Sequence, residues 1–81
     1  MRITVHFWSY FADLTGTKTI SLEVAPGSTV AEALLLVHQK YPPLAAARNS
    51  TLLAVGVDYA TPDHRLNPED ELSLFPPVQG G

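Results

Sequence analysis

The chain contains no cysteine among its 81 residues. Disulfides, thiolate nucleophiles and iron–sulfur ligation are therefore excluded, and any sulfur chemistry must run through another group. Basic residues are also sparse: Arg2, Lys18, Lys40, Arg48 and Arg65 stand singly along a chain of net charge −3. Nucleic-acid binding draws most of its affinity from clustered cations that neutralise phosphates, so nucleic acid is not an expected partner. No apolar run approaches the roughly 18 residues of a membrane span. The amino terminus, Met1-Arg2-Ile3-Thr4-Val5-His6, alternates instead of carrying the apolar block of a signal peptide. The expectation is a cytoplasmic protein with no membrane partner, built on one core with no room for a second.

The remaining composition, 46% hydrophobic and 16% charged, is enough to bury that core. From Arg2 to Trp8, Ile3, Val5 and Phe7 alternate with Arg2, Thr4, His6 and Trp8, which predicts a half-buried strand. Ser9 to Thr17 breaks the pattern and reads as a loop pinned by Phe11 and Leu14, with Gly16 at its turn. A second strand from about Lys18 to Val24 points Ile20, Leu22 and Val24 inward and completes an antiparallel hairpin. Pro26-Gly27 suits the central positions of a type II turn. Thr29 followed by Glu32 forms a capping box, and Val30, Ala33, Leu34, Val37 and Tyr41 draw one apolar stripe along a helix that Pro42-Pro43 stops.

Leu44 to Ser50 is open between a short helical turn and a plain connection. Thr51 to Val57 reads as a strand apolar on both faces, followed by a short strand around Tyr59-Ala60-Thr61 that ends at Pro62. Asn67-Pro68-Glu69-Asp70 has the composition of a type I turn. Glu71 to Phe75 is the last strand, with Leu72 and Leu74 opposite Ser73 and Phe75. Two strands, a helix and further strands give the α+β class: a mixed sheet of four to five strands, one main helix on one face, and the last strand parallel to the first at the centre. Trp8 and Phe75 then project from the uncovered face at the ends of neighbouring strands, within reach of Tyr59. Two readings stay open there, a partner surface and a small satellite cluster under a loop.

The chain closes on Phe75-Pro76-Pro77-Val78-Gln79-Gly80-Gly81. Pro76 and Pro77 offer no N–H to a sheet, so residues 1–75 are expected to form the domain and 76–81 an extended tail. The six tail residues can span roughly 20 Å, and Pro-Pro keeps them stretched. Gly80 and Gly81 lack a Cβ, which suits a backbone that must thread a narrow channel. From the residues alone, such an ending is either a frayed terminus or a carboxylate presented on a lead.

This ending, the Asn67-Pro68-Glu69-Asp70-Glu71 turn and strand entry, the Leu52-Leu53-Ala54-Val55 strand, and an amino-terminal strand followed by a loop ending in Gly16 together resemble one family. It is that of the small subunits of molybdopterin synthase, which are β-grasp, ubiquitin-like sulfur carriers. The resemblance spans the whole chain. Many members carry Asn in the third strand where this chain has Gly56, and the role of Gly56 is left open. The resemblance implies that a ubiquitin-activating-type adenylyltransferase, using ATP and magnesium, adenylates the Gly81 carboxylate. A sulfur donor protein then converts it to a thiocarboxylate. It also implies that the tail, led by Pro76, Pro77 and Gly80, enters a large synthase subunit in a heterotetramer. There, sulfur passes to cyclic pyranopterin monophosphate. On the same basis Trp8, Tyr59 and Phe75 are the expected partner contacts. Related carriers serving thiamin or tRNA thiolation share the tail chemistry, as does a ubiquitin-like protein modifier, and these remain the alternatives.

The resemblance asks for no cofactor or metal bound by this chain. His6, His38 and His64 have no ligand spacing, and Asp63-His64 lacks a nucleophile motif beside it. The acidic Glu69, Asp70 and Glu71 allow two readings, steering of a basic partner or a solvated turn, of which the second is the stronger.

Overall fold

The computed structural model describes residues 1–77. Its five strands are β1 (Arg2–Phe7), β2 (Thr19–Glu23), β3 (Leu52–Val55), β4 (Asp58–Tyr59) and β5 (Glu71–Phe75), and its helices are α1 (Tyr10–Thr15), α2 (Val30–Lys40) and α3 (Pro42–Ala45). The sheet runs in the order β2-β1-β5-β3-β4. Only the central pair β1 and β5 is parallel, in the register Val5↔Leu72 and Phe7↔Leu74; the other neighbours are antiparallel. This is the mixed α+β sheet that the alternation predicts. Parallel neighbours cannot be joined by a tight turn, so the chain between them must cross over, and α2 lies in that crossover.

Alternation decides what is buried. Ile3, Val5 and Phe7 of β1, Leu72 and Leu74 of β5 and Leu53 of β3 pack against Val30, Ala33 and Val37 of α2, together with Phe11, Leu44 and Leu66. Each large aliphatic side chain taken out of water here contributes about 1.5–3 kcal/mol before entropy is counted. Tyr41, the residue closing α2, meets the Phe7 ring edge-on at 5.5 Å.

The start of α2 is satisfied from two directions. Thr29 Oγ1 accepts from the Glu32 N–H at 3.3 Å, and the Thr29 N–H donates to Glu32 Oε1 at 2.9 Å, which is the predicted capping box. The Val30 and Ala31 N–H groups, which no helix can satisfy internally, donate to the carbonyls of His64 and Pro62 at 2.9 and 2.8 Å. Leu66 N–H bonds Ser28 O at 2.8 Å, and Arg65 reaches Gly27 O at 2.8 Å. The irregular 60–66 run is therefore a second cap on α2. The Pro26-Gly27 turn forms as predicted, with Gly27 at φ 81° and the Ser28 N–H on Ala25 O.

Several expectations are corrected. Ser9–Thr17 is not a loop throughout, because Tyr10–Thr15 closes into α1, capped by Gly16 at φ 77° with its N–H on Ala12 O. Phe11 is buried as foreseen, but Leu14 is 41% exposed: the helix turns Phe11, Ala12 and Thr15 inward and leaves Leu14 on the rim. Pro42-Pro43 end α2 and also begin α3, since proline is tolerated in a helix's first turn. β3 stops at Val55. Gly56 and Val57 form the two-residue turn into β4, with positive φ at Gly56 alone, as a type II′ turn requires. This supplies the structural reason for Gly56. The turn at 67–70 closes by Asp70 N–H to Asn67 O, yet Glu69 has φ 68°, so it is type II in shape, not type I. Among the described residues no helix is long and apolar enough to cross a membrane.

Two predictions follow from these packing and capping arrangements. Thr29→Ala should cost about 1 kcal/mol in urea unfolding, the usual value of a lost cap. His38, on α2, has its pKa lowered below the ordinary value, first by partial burial and then by the Arg48 charge. Its unfolded form therefore binds the proton more readily, and the stability it contributes is present above about pH 6.5 and lost as pH falls towards the lowered native value. Unfolding measured from pH 7.5 to 5 should show a shallower decline in His38→Gln than in the wild type.

Candidate functional site

The face of the sheet away from α2 is open, and the strand order brings its aromatics together at one end. Register places Phe7 beside Leu74, so the next residues, Trp8 and Phe75, emerge side by side on the open face. The Trp8 N–H extends the ladder to Leu74 O at 3.1 Å. The two rings lie nearly parallel, 10° apart, with centroids at 5.5 Å. Trp8 remains 48% exposed, whereas Phe75 is half-buried beneath it and across from Leu52. A stack of this geometry adds about 0.5–1.5 kcal/mol beyond burial. It also fixes the Trp8 ring, so that docking against it orders few further torsions.

Tyr59 joins from the far side. It pairs with Ala54 across β3 and β4, is 81% exposed, and lines with Phe75, Ala54, Gly56 and Val57 a groove of about 230 Å³. Val57, at the turn between these strands, is 98% exposed. An apolar side chain so fully in water adds nothing to the fold, and here it extends the patch.

On the other side of Trp8 the face becomes polar. The His6 ring lies 6.3 Å from Trp8 at 27°, and its Nε2 meets Glu71 Oε1 at 2.7 Å. Asp70 Oδ2 accepts the Asn67 N–H at 2.8 Å. Two of the three acidic residues near the carboxyl end are thus engaged within the chain, as a turn and a cross-strand pair. Beyond β5, Pro76 and Pro77 continue outside any strand, both half-buried. Gly80 and Gly81, the expected reactive end, lie outside the described residues.

Comparison with known proteins adds the family. The model of the ThiS family matches residues 5–81. The chain belongs to the ThiS family. It is 31% identical over 81 residues to the molybdopterin synthase sulfur carrier subunit of Arabidopsis thaliana, covering all of this chain and 84% of that protein. Among solved structures it resembles SAMP1 from Haloferax volcanii, at TM-score 0.89 and 24% identity with both chains fully covered. It is also similar to a chain in the complex of subunits 1 and 2 of the molybdopterin-converting factor from Helicobacter pylori, at TM-score 0.70 and 21% identity, again with both chains fully covered. These structural likenesses establish the ubiquitin-like β-grasp fold.

Within this ThiS-family chain, the aromatic residues named from the sequence do come together. Trp8 and Phe75 are in contact, and Tyr59 shares a groove with Phe75. Sequence reading missed Val57, taken as strand, and Ser9. Ser9 has φ 55° and ψ −139°, a conformation that non-glycine residues rarely adopt, and it turns the chain from β1 into α1 directly after Trp8. The histidines stand apart on β1, on α2 and in the 60–66 run. Among the described residues no group of three or more His, Asp or Glu side chains is placed to hold a metal. At Asp63 the Thr61 hydroxyl donates directly to the carboxylate, holding its pKa below the ordinary value. A hydroxyl bonded to the acid in this way is not bridged by a histidine, so no Ser-His-Asp relay is formed there.

The chain's single tryptophan makes the stack measurable. Phe75→Ala should move Trp8 emission to longer wavelength and cost about 1–2 kcal/mol, the stack plus part of a half-buried ring. Tyr59→Ala should change stability by less than about 0.5 kcal/mol. A loss of several kcal/mol in Phe75→Ala would return that residue to the core.

Proposed function

We propose that this chain is the sulfur-carrying small subunit of a molybdopterin synthase, acting as one half of a heteromeric sulfurtransferase and not as an enzyme by itself. The observation that carries this reading is the exposed Trp8–Phe75 stack from which the chain passes straight into Pro76-Pro77. A docking surface and the base of the tail are thereby adjacent, so binding of the body aims the tail. Membership of the ThiS family and the similarity to a named molybdopterin synthase sulfur carrier subunit support the choice of pathway.

The chemistry resides in the terminal carboxylate of Gly81. A carboxylate is a poor electrophile, since attack must expel an oxide. In the proposed first step a Gly81 oxygen attacks the α-phosphorus of magnesium-bound ATP on an adenylyltransferase of the ubiquitin-activating type, and pyrophosphate leaves. A sulfur donor then attacks the acyl carbon through its terminal sulfur and AMP departs; where that sulfur is the outer atom of a protein persulfide, a thiol reductant cleaves the S–S bond to the carrier and leaves a thiocarboxylate. Its sulfur is a far stronger nucleophile than the oxygen it replaces. In the large subunit this sulfur attacks a side-chain carbon of cyclic pyranopterin monophosphate and displaces the oxygen substituent there. Water then cleaves the resulting acyl link, restores the Gly81 carboxylate and leaves the sulfur on the pterin. Two such transfers build the dithiolene. The chain's own role is to dock through Trp8, Tyr59 and Phe75 and to present the end. Pro76 and Pro77 restrict the base of the tail, and Gly80 and Gly81 give a backbone slim enough to thread a channel.

Intact mass of the protein isolated from cells containing its activating enzyme tests this reading. The expected result is a fraction in which sulfur replaces one carboxyl oxygen, together with copurification of a larger synthase subunit. Deletion of Gly81 should abolish sulfur transfer with the unfolding midpoint unchanged. Lysine-linked adducts in place of the thiocarboxylate would instead select the protein-modifier alternative.

A further inference from the structure

The flank of Trp8 away from Phe75 holds a feature that the proposed docking of the aromatic patch does not use. A cavity of about 370 Å³ lies there, lined by His6, Trp8, Ser9, Ala12, Lys18 and Thr19. Its parts come from separate elements held in register: His6 and Thr19 are cross-strand partners, and the Phe7 N–H bonds Lys18 O at 2.8 Å, which ties the start of β2 to the end of β1. Ser9 and Ala12 form the opposite wall through the strained turn into α1, and the Ser9 side chain makes no cap to that helix.

The charges around this cavity are unbalanced. The ion pairs among the described residues are Met1–Glu23, Arg2–Glu23 and His6–Glu71, and none takes up Lys18. Asp13 shares a shallow depression with Lys18 on the side away from Trp8 but makes no ion pair with it. Glu71 is committed to His6 Nε2. Lys18, which carries the positive charge, and Ser9 thus line the cavity beside Trp8 and Ala12, on a protein of net charge −3. That combination suits a group with a negative end and an aliphatic stem.

We propose that this cavity is a second anchoring socket, and that it receives an acidic side chain of the large synthase subunit when the aromatic patch docks. The proposal rests on the functional reading given above. The carboxylate lies against Lys18 and Ser9, and its methylenes lie along Trp8 and Ala12. One tryptophan then serves both contacts, with the apolar anchor on its Phe75 side and the charged anchor on its β2 side. Charged anchors of this kind set specificity and association rate, because a partner without the acid leaves the Lys18 charge partly desolvated and unpaired.

The test is titration of the full chain with its large subunit at two salt concentrations, using Lys18→Met, Lys18→Glu and, for comparison, Phe75→Ala. The expected results are a Kd raised about tenfold by Lys18→Met and more by Lys18→Glu, a flatter salt dependence in both, and an unfolding midpoint equal to wild type. Replacing one acidic residue of the large subunit by Lys should restore binding to Lys18→Glu and to no other variant. If Lys18→Glu binds within about twofold of wild type while Phe75→Ala is weakened, the socket is refuted and the docking reading stands. Weakening by Lys18→Glu that no charge reversal in the large subunit restores refutes the acidic occupant. Failure of the wild-type chain to bind a large subunit at all overturns both.

Discussion

The parallel pairing of β1 with β5 is the constraint on which the rest depends. Because the first and last strands lie side by side in the same direction, their ends coincide. Phe7 faces the core opposite Leu74, and one residue further on Trp8 meets Phe75 on the open face. A slip of β1 by one residue would turn its side chains over, burying Trp8 and exposing Phe7. The buried face therefore enforces the register that builds the outward stack. The core and the candidate site are two sides of one alignment.

That pairing also explains the remaining architecture. Parallel neighbours demand a long crossover, and the crossover must cover the apolar face it spans, which α2 does with Val30, Ala33 and Val37. A helix placed there needs its amino-terminal donors satisfied away from bulk water. Thr29 satisfies the Glu32 N–H, and the backbone of the irregular 60–66 run satisfies Val30 and Ala31. A segment that looks featureless thus holds the helix in place through its carbonyls, and Leu66 anchors the segment in the core. The return from this run enters β5 through the Asn67–Asp70 turn. There the Glu69 N–H bonds Arg2 O at 2.9 Å and the Thr4 N–H bonds Asp70 O at 3.0 Å, setting where the parallel pair begins.

Function on this scaffold follows a division of labour. The body is stiff where the aromatic surface and the tail meet: Phe75 is held by strands on both sides, and the prolines that follow restrict the exit. In the function proposed above, the reactive chemistry belongs to a backbone end that carries no side chain, and the body contributes the surface around the exit. Ser9 fits this arrangement. Its unfavourable backbone conformation is kept where the chain must turn sharply after Trp8, and the tightly packed Phe11 two residues later offsets the cost.

The amino-acid order by itself determined the alternating strands, the Thr29–Glu32 capping box, the stripe on α2, the Pro26-Gly27 turn and the ending at Pro76-Pro77. Each of these is a local rule acting over a few residues, by strand alternation, helical period or backbone restriction. The placement of Trp8 and Phe75 on one face was also legible, because alternation fixes sidedness once strand neighbours are named. Other features belonged to the tertiary structure. α1 is too short for a helical period to show, and its inward face is chosen by the packing of Phe11. Val57 reads as strand until the turn at Gly56 throws it into solvent. Glu69 takes a positive φ because the hydrogen bonds to Arg2 and Thr4 dictate the turn's shape over the preference of its residues. The socket beside Trp8 brings together residues from β1, α1 and β2 through long-range hydrogen bonds, and no local pattern encodes a space that exists only when those elements have met.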